Sequence, residues 1–290
     1  MKEEREAGMP LDERKRKEIE HSDHRRSIVR AYEYDSDASP DRLKDPYAKE
    51  GAEYERHFSN MKFYSITQSS RAYRDGLLFD QIRGAVALDY CCGNGEAAIE
   101  MARHGASRVV GIDISPVAIE NAQELAKTVG VDGVCQFSVM DAEQTEFAPE
   151  TFDLIHEYGA LHHLDLSPAY KELSRLLKPE GKLVCTEALR HNPLIHWYRR
   201  RTPHLRTEWE VKHILGVSDI DQARKYFTEI KVRFFHLAIL LAVPFRRTRL
   251  FGPLCRIFNR VDSLLLRGRG IGKYGWITVV TMGGPRKEAS

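Results

Sequence analysis

Residues 87–95 read Ala-Leu-Asp-Tyr-Cys-Cys-Gly-Asn-Gly: an apolar strand carrying one acid runs straight into a glycine turn and opens a helix at Glu96. A backbone bent that tightly can approach a bound molecule closely, and the helix start behind it presents unpaired N–H groups. The stretch therefore predicts an α/β fold with a nucleotide-type cofactor site at the end of its first strand. Gly93, Gly95 and Ala98 also fall at the offsets of the fingerprint G-x-G-x-x-G/A, and Asp113 follows at the end of the next strand. That fingerprint alone does not choose the cofactor.

The pattern around the turn is more specific. Asp89 precedes it, Asp113 lies in Val-Val-Gly-Ile-Asp-Ile-Ser, and Asp141 lies in Phe-Ser-Val-Met-Asp-Ala-Glu. Then follow Phe-Asp-Leu-Ile-His-Glu-Tyr at 152–158, Leu-His-His-Leu at 161–164 and Leu-Lys-Pro-Glu-Gly-Lys-Leu-Val at 177–184. This ordered set, over residues 85–190, resembles the class I S-adenosylmethionine-dependent methyltransferases of the small-molecule, type 11-like kind. The resemblance implies a Rossmann-like seven-stranded sheet with a helical N-terminal lid and insertions at the substrate rim. It also implies S-adenosyl-L-methionine as cofactor and S-adenosyl-L-homocysteine as product. By the same resemblance Asp89, Cys91, Gly93, Asn94 and Gly95 hold the methionine end. Asp113 takes the ribose hydroxyls with Ile114 beside it, Asp141 and Ala142 meet the adenine, and Glu157 contacts the adenosine. The family usually has glycine where this chain has Cys91. Two alternatives stay open: an NAD-type Rossmann oxidoreductase, and an inactive cofactor-binding scaffold.

Strands predicted at 86–90, 108–112, 135–139, 152–157 and 182–187 alternate with helices at 96–104, 116–129 and 167–177. Such alternation demands right-handed crossovers and a parallel sheet covered on both faces, with ligands beyond the carboxyl ends of the strands. A strand from 229 to 235 and a last strand at 275–282 complete the pattern. In the family's order the last one runs antiparallel between the fifth and sixth. The domain then spans 85–283 with insertions at 188–217 and 237–273, and 284–290 form a tail.

Before the domain, residues 1–45 mix many charged side chains with few apolar ones, which predicts a disordered tail. Residues 46–84 carry aromatic and aliphatic side chains at roughly helical spacing and form the expected lid, placing Tyr64 and Arg71 over the cofactor. No apolar run approaches 18 residues and the N-terminus begins Met-Lys-Glu-Glu-Arg, so a cytoplasmic location is expected. The five cysteines suit reduced thiols, and neither they nor the pair His21 and His24 has the spacing of a metal centre, so no metal is expected.

Methyl transfer from a sulfonium needs alignment in a dry pocket, and a base only where the acceptor carries a proton. His162 and His163 follow the fourth strand at the rim and are the candidate bases, with His191 and His196 behind them. Arg190, Arg199, Arg200, Arg201 and Arg206 in the first insertion suit phosphate or carboxylate. The acceptor is expected to be a small or lipid-linked molecule. Around the second insertion, 231–274 hold ten Lys or Arg against the single acid Asp262, beside the apolar run 234–245. That run is too short to span a bilayer. It suits either a solvated basic face over a satellite core or peripheral membrane contact through 234–260, and no nucleic-acid-binding module accompanies the charge.

Overall fold

A computed structural model describes residues 13–28 and 59–286. Helix α1 covers Glu13–Ile28. After a 3-10 segment, Ser59–Ile66, come α2 (Gln68–Phe79), β1 (Val86–Tyr90), α3 (Glu96–Arg103), β2 (Arg108–Asp113), α4 (Pro116–Thr128), β3 (Cys135–Val139), β4 (Phe152–Tyr158), α5 (Leu166–Leu176) and β5 (Leu177–Ala188). The remainder holds α6 (Pro193–Arg201), α7 (Glu208–His213), β6 (Phe227–Phe235), a 3-10 segment at Ala238–Phe245, α8 (Phe251–Leu265) and β7 (Ile277–Pro285). The seven strands lie in the order β3-β2-β1-β4-β5-β7-β6, with β7 antiparallel to both of its neighbours and the others parallel.

Period-two alternation divides the core between the two faces of the sheet. Leu88, Tyr90, Val110 and Ile112 pack with Ile155, Tyr170 and Leu173 on one face. Ala87 and Val109 pack with Ala98, Met101, Ile119 and Ala122 on the other. Full burial of side chains the size of Ile112 or Phe152 contributes about 1.5–3 kcal/mol each. This rigid platform aligns the ends of β1, β2, β3 and β4 at one rim. The helices begin where side chains can cap them. Ser115 accepts from the Ala118 N–H with Pro116 behind it, and Asn192 accepts from the Ile195 N–H with Pro193 behind it.

Three expectations need correction. Residues 13–28, read as part of a disordered tail, form a helix on the rim, because its polar groups find partners on the domain rather than an apolar face (below); residues 29–58, including Tyr54 and Phe58 of the expected lid, lie outside the described residues. Strand β5 starts at Leu177, well before the expected 182, with a register shift opposite Phe152–Leu154. Gly284 and Pro285, placed in a tail, extend β7 against Phe227 of β6. The apolar run 234–245 is largely core, as its satellite-core reading expects. Ile239, Leu240, Ala242 and Val243 are buried with Phe63, Ile66, Ile195, Tyr198 and Trp276.

The insertion that contains this run is pinned at its start. His236 adopts a φ of +66°, its buried ring meets the Ser70 hydroxyl at 2.8 Å, and burial holds it neutral by pushing its pKa down to about 3. The Asp262 carboxylate of α8 accepts the N–H groups of Leu237, Ala238 and Ile239. Among the described residues, no helix is long and apolar enough to cross a membrane.

Candidate active site

The glycine turn is tight because its neighbours leave no room for side chains. Gly95 has a φ of +81° and caps α3, and a methyl group there would stand 2.8 Å from both Ala122 and Phe137. Cys91 has a φ of +59°, the left-handed region that glycine occupies without strain and other residues do not. Burial, reinforced by the charge of Asp113, pushes its thiol well above the usual range, so it stays protonated and is no nucleophile.

The acids at the strand ends divide the work. Asp89 is turned inward, with one oxygen 2.8 Å from Nδ1 of the buried His156 ring and the other accepting the Ala98 N–H at 3.0 Å. It fixes the turn and the start of α3 rather than facing the cleft, which differs from its expected contact with the methionine end. Asp113 accepts the Gly93 and Ser115 N–H groups, both at 2.9 Å, and so ties the turn to the end of β2. A carboxylate holding two N–H groups keeps lone pairs for a ribose diol. Asn94 is buried and its side-chain oxygen meets the Asn121 amide; Ile114 is half-buried between Asp113 and Ser115. Asp141 lies just past the end of β3, with the carbonyl of Ala142 beside it taken by the Tyr90 hydroxyl at 2.5 Å. Bare α-carbons at the turn and acids at two strand ends fit a nucleoside-bearing cofactor.

Helix α1 runs along this rim. Lys15 reaches Asp141 at 2.6 Å, Arg14 reaches Glu143 at 2.7 Å, and Asp23 bonds the Ser115 hydroxyl. Burial opposes the charge on Lys15, but hydrogen bonds and charge from Asp141 and Glu143 more than offset it and raise its pKa. Glu18 meets Nδ1 of His163 at 2.8 Å and the Thr207 hydroxyl at 2.5 Å.

Beyond the turn, the end of β5 builds a second arrangement. Glu187 is buried, takes the Leu161 N–H at 2.7 Å, and holds Nδ1 of His162 at 2.8 Å. Burial by itself would lower His162, yet the Glu187 carboxylate, helped by Glu210, raises its pKa above the ordinary 6.5. Glu157, also fully buried, accepts the Ala160 and Leu161 N–H groups, and burial together with the neighbouring Glu187 charge pushes it well above the usual carboxylate range. The pair therefore holds one proton on Glu157 and one negative charge on Glu187. With Nδ1 fixed, His162 turns Nε2 toward Glu210, 3.8 Å away.

His162 lines a small cavity of about 80 Å³ together with Asn60, Tyr64, Tyr198, Arg199, Arg206 and Glu210. Burial, with Arg206 nearby, lowers the Arg199 pKa to about 10. Arg206 ion-pairs with Glu210 at 3.2 Å. His162, His163 and Glu210 bring one ligand-type atom each within 4.8 Å. The Arg206 guanidinium already neutralises the same Glu210 oxygen that faces His162, which leaves that trio a poor home for a cation.

The remaining candidates are spread out. Tyr64 lines the cavity and packs edge-on against Trp276 at 5.2 Å, whereas Arg71 is anchored on Thr67 and the Tyr64 carbonyl. His163 packs tilted beside His162, ring centroids 4.3 Å apart, but binds Glu18 and lies outside the cavity wall. His191 sits by Arg190 and Lys273, away from the cavity, and His196 is exposed. Sequence reasoning did not single out Glu187, Glu210 or the contacts of α1. Glu187 carried a legible signal as an acid closing the fifth strand, like Asp89 and Asp113 on theirs. Glu210 carried none, because only the packing of α7 brings it to His162.

Residues 88–185 match the family described as "Methyltransferase domain". The chain is similar to 27-O-demethylrifamycin SV methyltransferase of Amycolatopsis mediterranei, 35% identical over 103 residues, which cover 35% of this chain and 38% of that protein. It is similar to demethylmenaquinone methyltransferase of Staphylococcus aureus, 35% identical over 108 residues, covering 36% and 44%. The chain thus spans less than half the length of either relative. Among solved structures, the geranyl diphosphate C-methyltransferase of Streptomyces coelicolor, in complex with Mg2+, geranyl diphosphate and S-adenosyl-L-homocysteine, superposes with a TM-score of 0.56 at 15% identity. That match covers 95% of this chain and all of the other, and at such identity it speaks for the fold. These matches resolve the ambiguity of the glycine fingerprint against the NAD-type alternative. The segment 88–185 is a methyltransferase domain.

Proposed function

We propose that the chain methylates a hydroxyl-bearing small molecule that also carries a carboxylate or phosphate, with His162 as the general base. When bound, S-adenosylmethionine supplies an electrophilic methyl group on a sulfonium. The rest is done by the chain. Asp113 and the turn orient the nucleoside end, and Glu187 fixes the His162 tautomer so that Nε2 accepts a proton from the acceptor hydroxyl. Arg199 and Arg206 stand against a single carboxylate, Glu210, in the same cavity wall, so that wall is left with excess positive charge for an anionic acceptor. The observation that carries this reading is the buried Glu187 behind His162, at 2.8 Å, on the wall of a cavity lined by arginine.

The test is turnover of methyl-labelled cofactor with pools of anionic hydroxy compounds. His162→Ala should lower kcat by roughly 10²–10⁴-fold while S-adenosylhomocysteine affinity stays close to wild type. His163→Ala should keep most of the rate. Retained rate in His162→Ala removes the base. Cofactor binding without turnover on any pool favours the scaffold alternative.

A second reading concerns where the acceptor resides. Leu241, Phe245, Leu250 and Ile257 are exposed on the second insertion, next to exposed Arg247, Arg249, Arg256 and Arg260. Apolar side chains flanked by cations suit a bilayer headgroup boundary, which supports a lipid-linked acceptor presented at an anionic membrane.

A further inference from the structure

We propose that Arg26 of α1 is the binding residue for the α-carboxylate of the cofactor, so that the N-terminal helix supplies one wall of the cofactor site. The inference rests on the cofactor reading of the cleft and adds to it a residue that lies far outside the methyltransferase domain in sequence.

The guanidinium of Arg26 lies directly on the glycine turn: a methyl group on Gly93 would be 2.6 Å from its nearest nitrogen. Among the described residues, Arg26 makes no hydrogen bond and no ion pair. The acids around the turn are otherwise engaged. Asp89 is spent on His156 and the Ala98 N–H, and Asp113 accepts from Gly93 and Ser115. Glu96, at the start of α3, feels the Arg26 charge, but burial outweighs it and lifts the carboxyl above its usual range, which makes it a weak counter-ion. A half-buried guanidinium beside the turn thus lacks a partner. Desolvated cations without an anion are costly, and the arginine fork matches a carboxylate bidentately.

The position is fixed rather than incidental. Lys15 on Asp141, Arg14 on Glu143, Glu18 on His163 and Thr207, and Asp23 on Ser115 tie successive turns of α1 to the rim. Four residues with partners on the domain therefore hold the helix that carries the one side chain waiting at the turn. The amino-acid end of S-adenosylmethionine is the part of the cofactor that brings a carboxylate to a glycine turn, whereas adenosine and 5′-methylthioadenosine bring none.

That difference gives the test. Calorimetric titration of wild type, Arg26→Gln and Arg26→Lys uses S-adenosylhomocysteine and 5′-methylthioadenosine, which lacks the amino-acid end. Arg26→Gln should bind S-adenosylhomocysteine roughly 10–100-fold more weakly, with 5′-methylthioadenosine affinity within about twofold of wild type. Arg26→Lys should recover part of the loss. Unchanged S-adenosylhomocysteine affinity in Arg26→Gln overturns the proposal. So does an equal loss for both ligands, which would assign Arg26 to docking of α1. Wild type that binds neither ligand removes the cofactor reading itself, a pattern distinct from both. Retained 5′-methylthioadenosine binding also certifies that each variant is folded.

Discussion

Replacing Glu187 by Gln tests whether the charge behind His162 sets its proton affinity. Glu187 Oε2 lies 2.8 Å from His162 Nδ1, which puts the charge centres of ring and carboxylate about 4 Å apart. At an effective dielectric of 20 their attraction is about 4 kcal/mol as an upper bound. Burial, which pulls the ring the other way, remains after the substitution. The His162 midpoint should therefore fall from above 6.5 to below it. Part of the drop will be masked. Glu157 is held protonated partly by Glu187, and once that charge is gone it ionises more readily and replaces it. The full effect belongs to the Glu157→Gln, Glu187→Gln double variant, with the midpoint of the single variant falling less far. Ring C–H resonances of His162, followed by NMR against pH in ligand-free protein, read the midpoint directly. The alkaline-going limb of the rate profile should move down in step. A midpoint that stays put or rises in the double variant refutes the dyad. Stability carries the same signs. The raised His162 contributes stability that is complete below its unfolded value of 6.5 and lost as pH rises through its folded value. The lowered Glu187, whose burial is outweighed by His162, contributes stability that is lost as pH falls through its folded value.

Cys91→Gly should relieve a left-handed backbone worth about 1–2 kcal/mol while adding about 0.5–1 kcal/mol of unfolded-state entropy. The expected net is a Tm higher by about 1–3 °C in thermal unfolding, and a lower Tm would show that the side chain stabilises more than its backbone strains. Arg247→Glu, Arg249→Glu and Arg256→Glu together should abolish co-sedimentation with anionic vesicles at low salt, since each basic residue near such a surface contributes about 1 kcal/mol. Equal pelleting of wild type and variant, or no binding by either, removes the membrane reading.

The sheet was legible because its strands and crossover helices are written in local periodicity. Val86–Tyr90 and Cys135–Val139 came out at the expected bounds, and the antiparallel β7 followed from the family order. Segments whose structure depends on distant partners were not legible. Helix α1 has almost no apolar stripe, and its order comes from ion pairs to Asp141 and Glu143 more than a hundred residues away. The 234–245 run could be read as a satellite core or a membrane surface, and nothing local reveals that Phe63 and Trp276 are what covers Ile239 and Val243. The same limit applied at the site. His162 announced itself by position after the fourth strand, but what separates it from His163 is tertiary, since one ring is backed by Glu187 from β5 and the other by Glu18 from α1.

The path of α1 couples the two halves of the rim. Through Lys15 and Asp23 it touches the rim proposed for the cofactor, and through Glu18 it touches His163 and Thr207 on the side of the cavity proposed for the acceptor. A rigid helix cannot shift to admit one ligand without changing its contacts to the other half. Whatever free energy that shift costs or releases enters both binding constants, and by linkage the factor is the same whichever ligand is titrated first. Cofactor and acceptor are then two inputs to one lever, and the strength of their coupling becomes a property of sixteen residues that precede the methyltransferase domain.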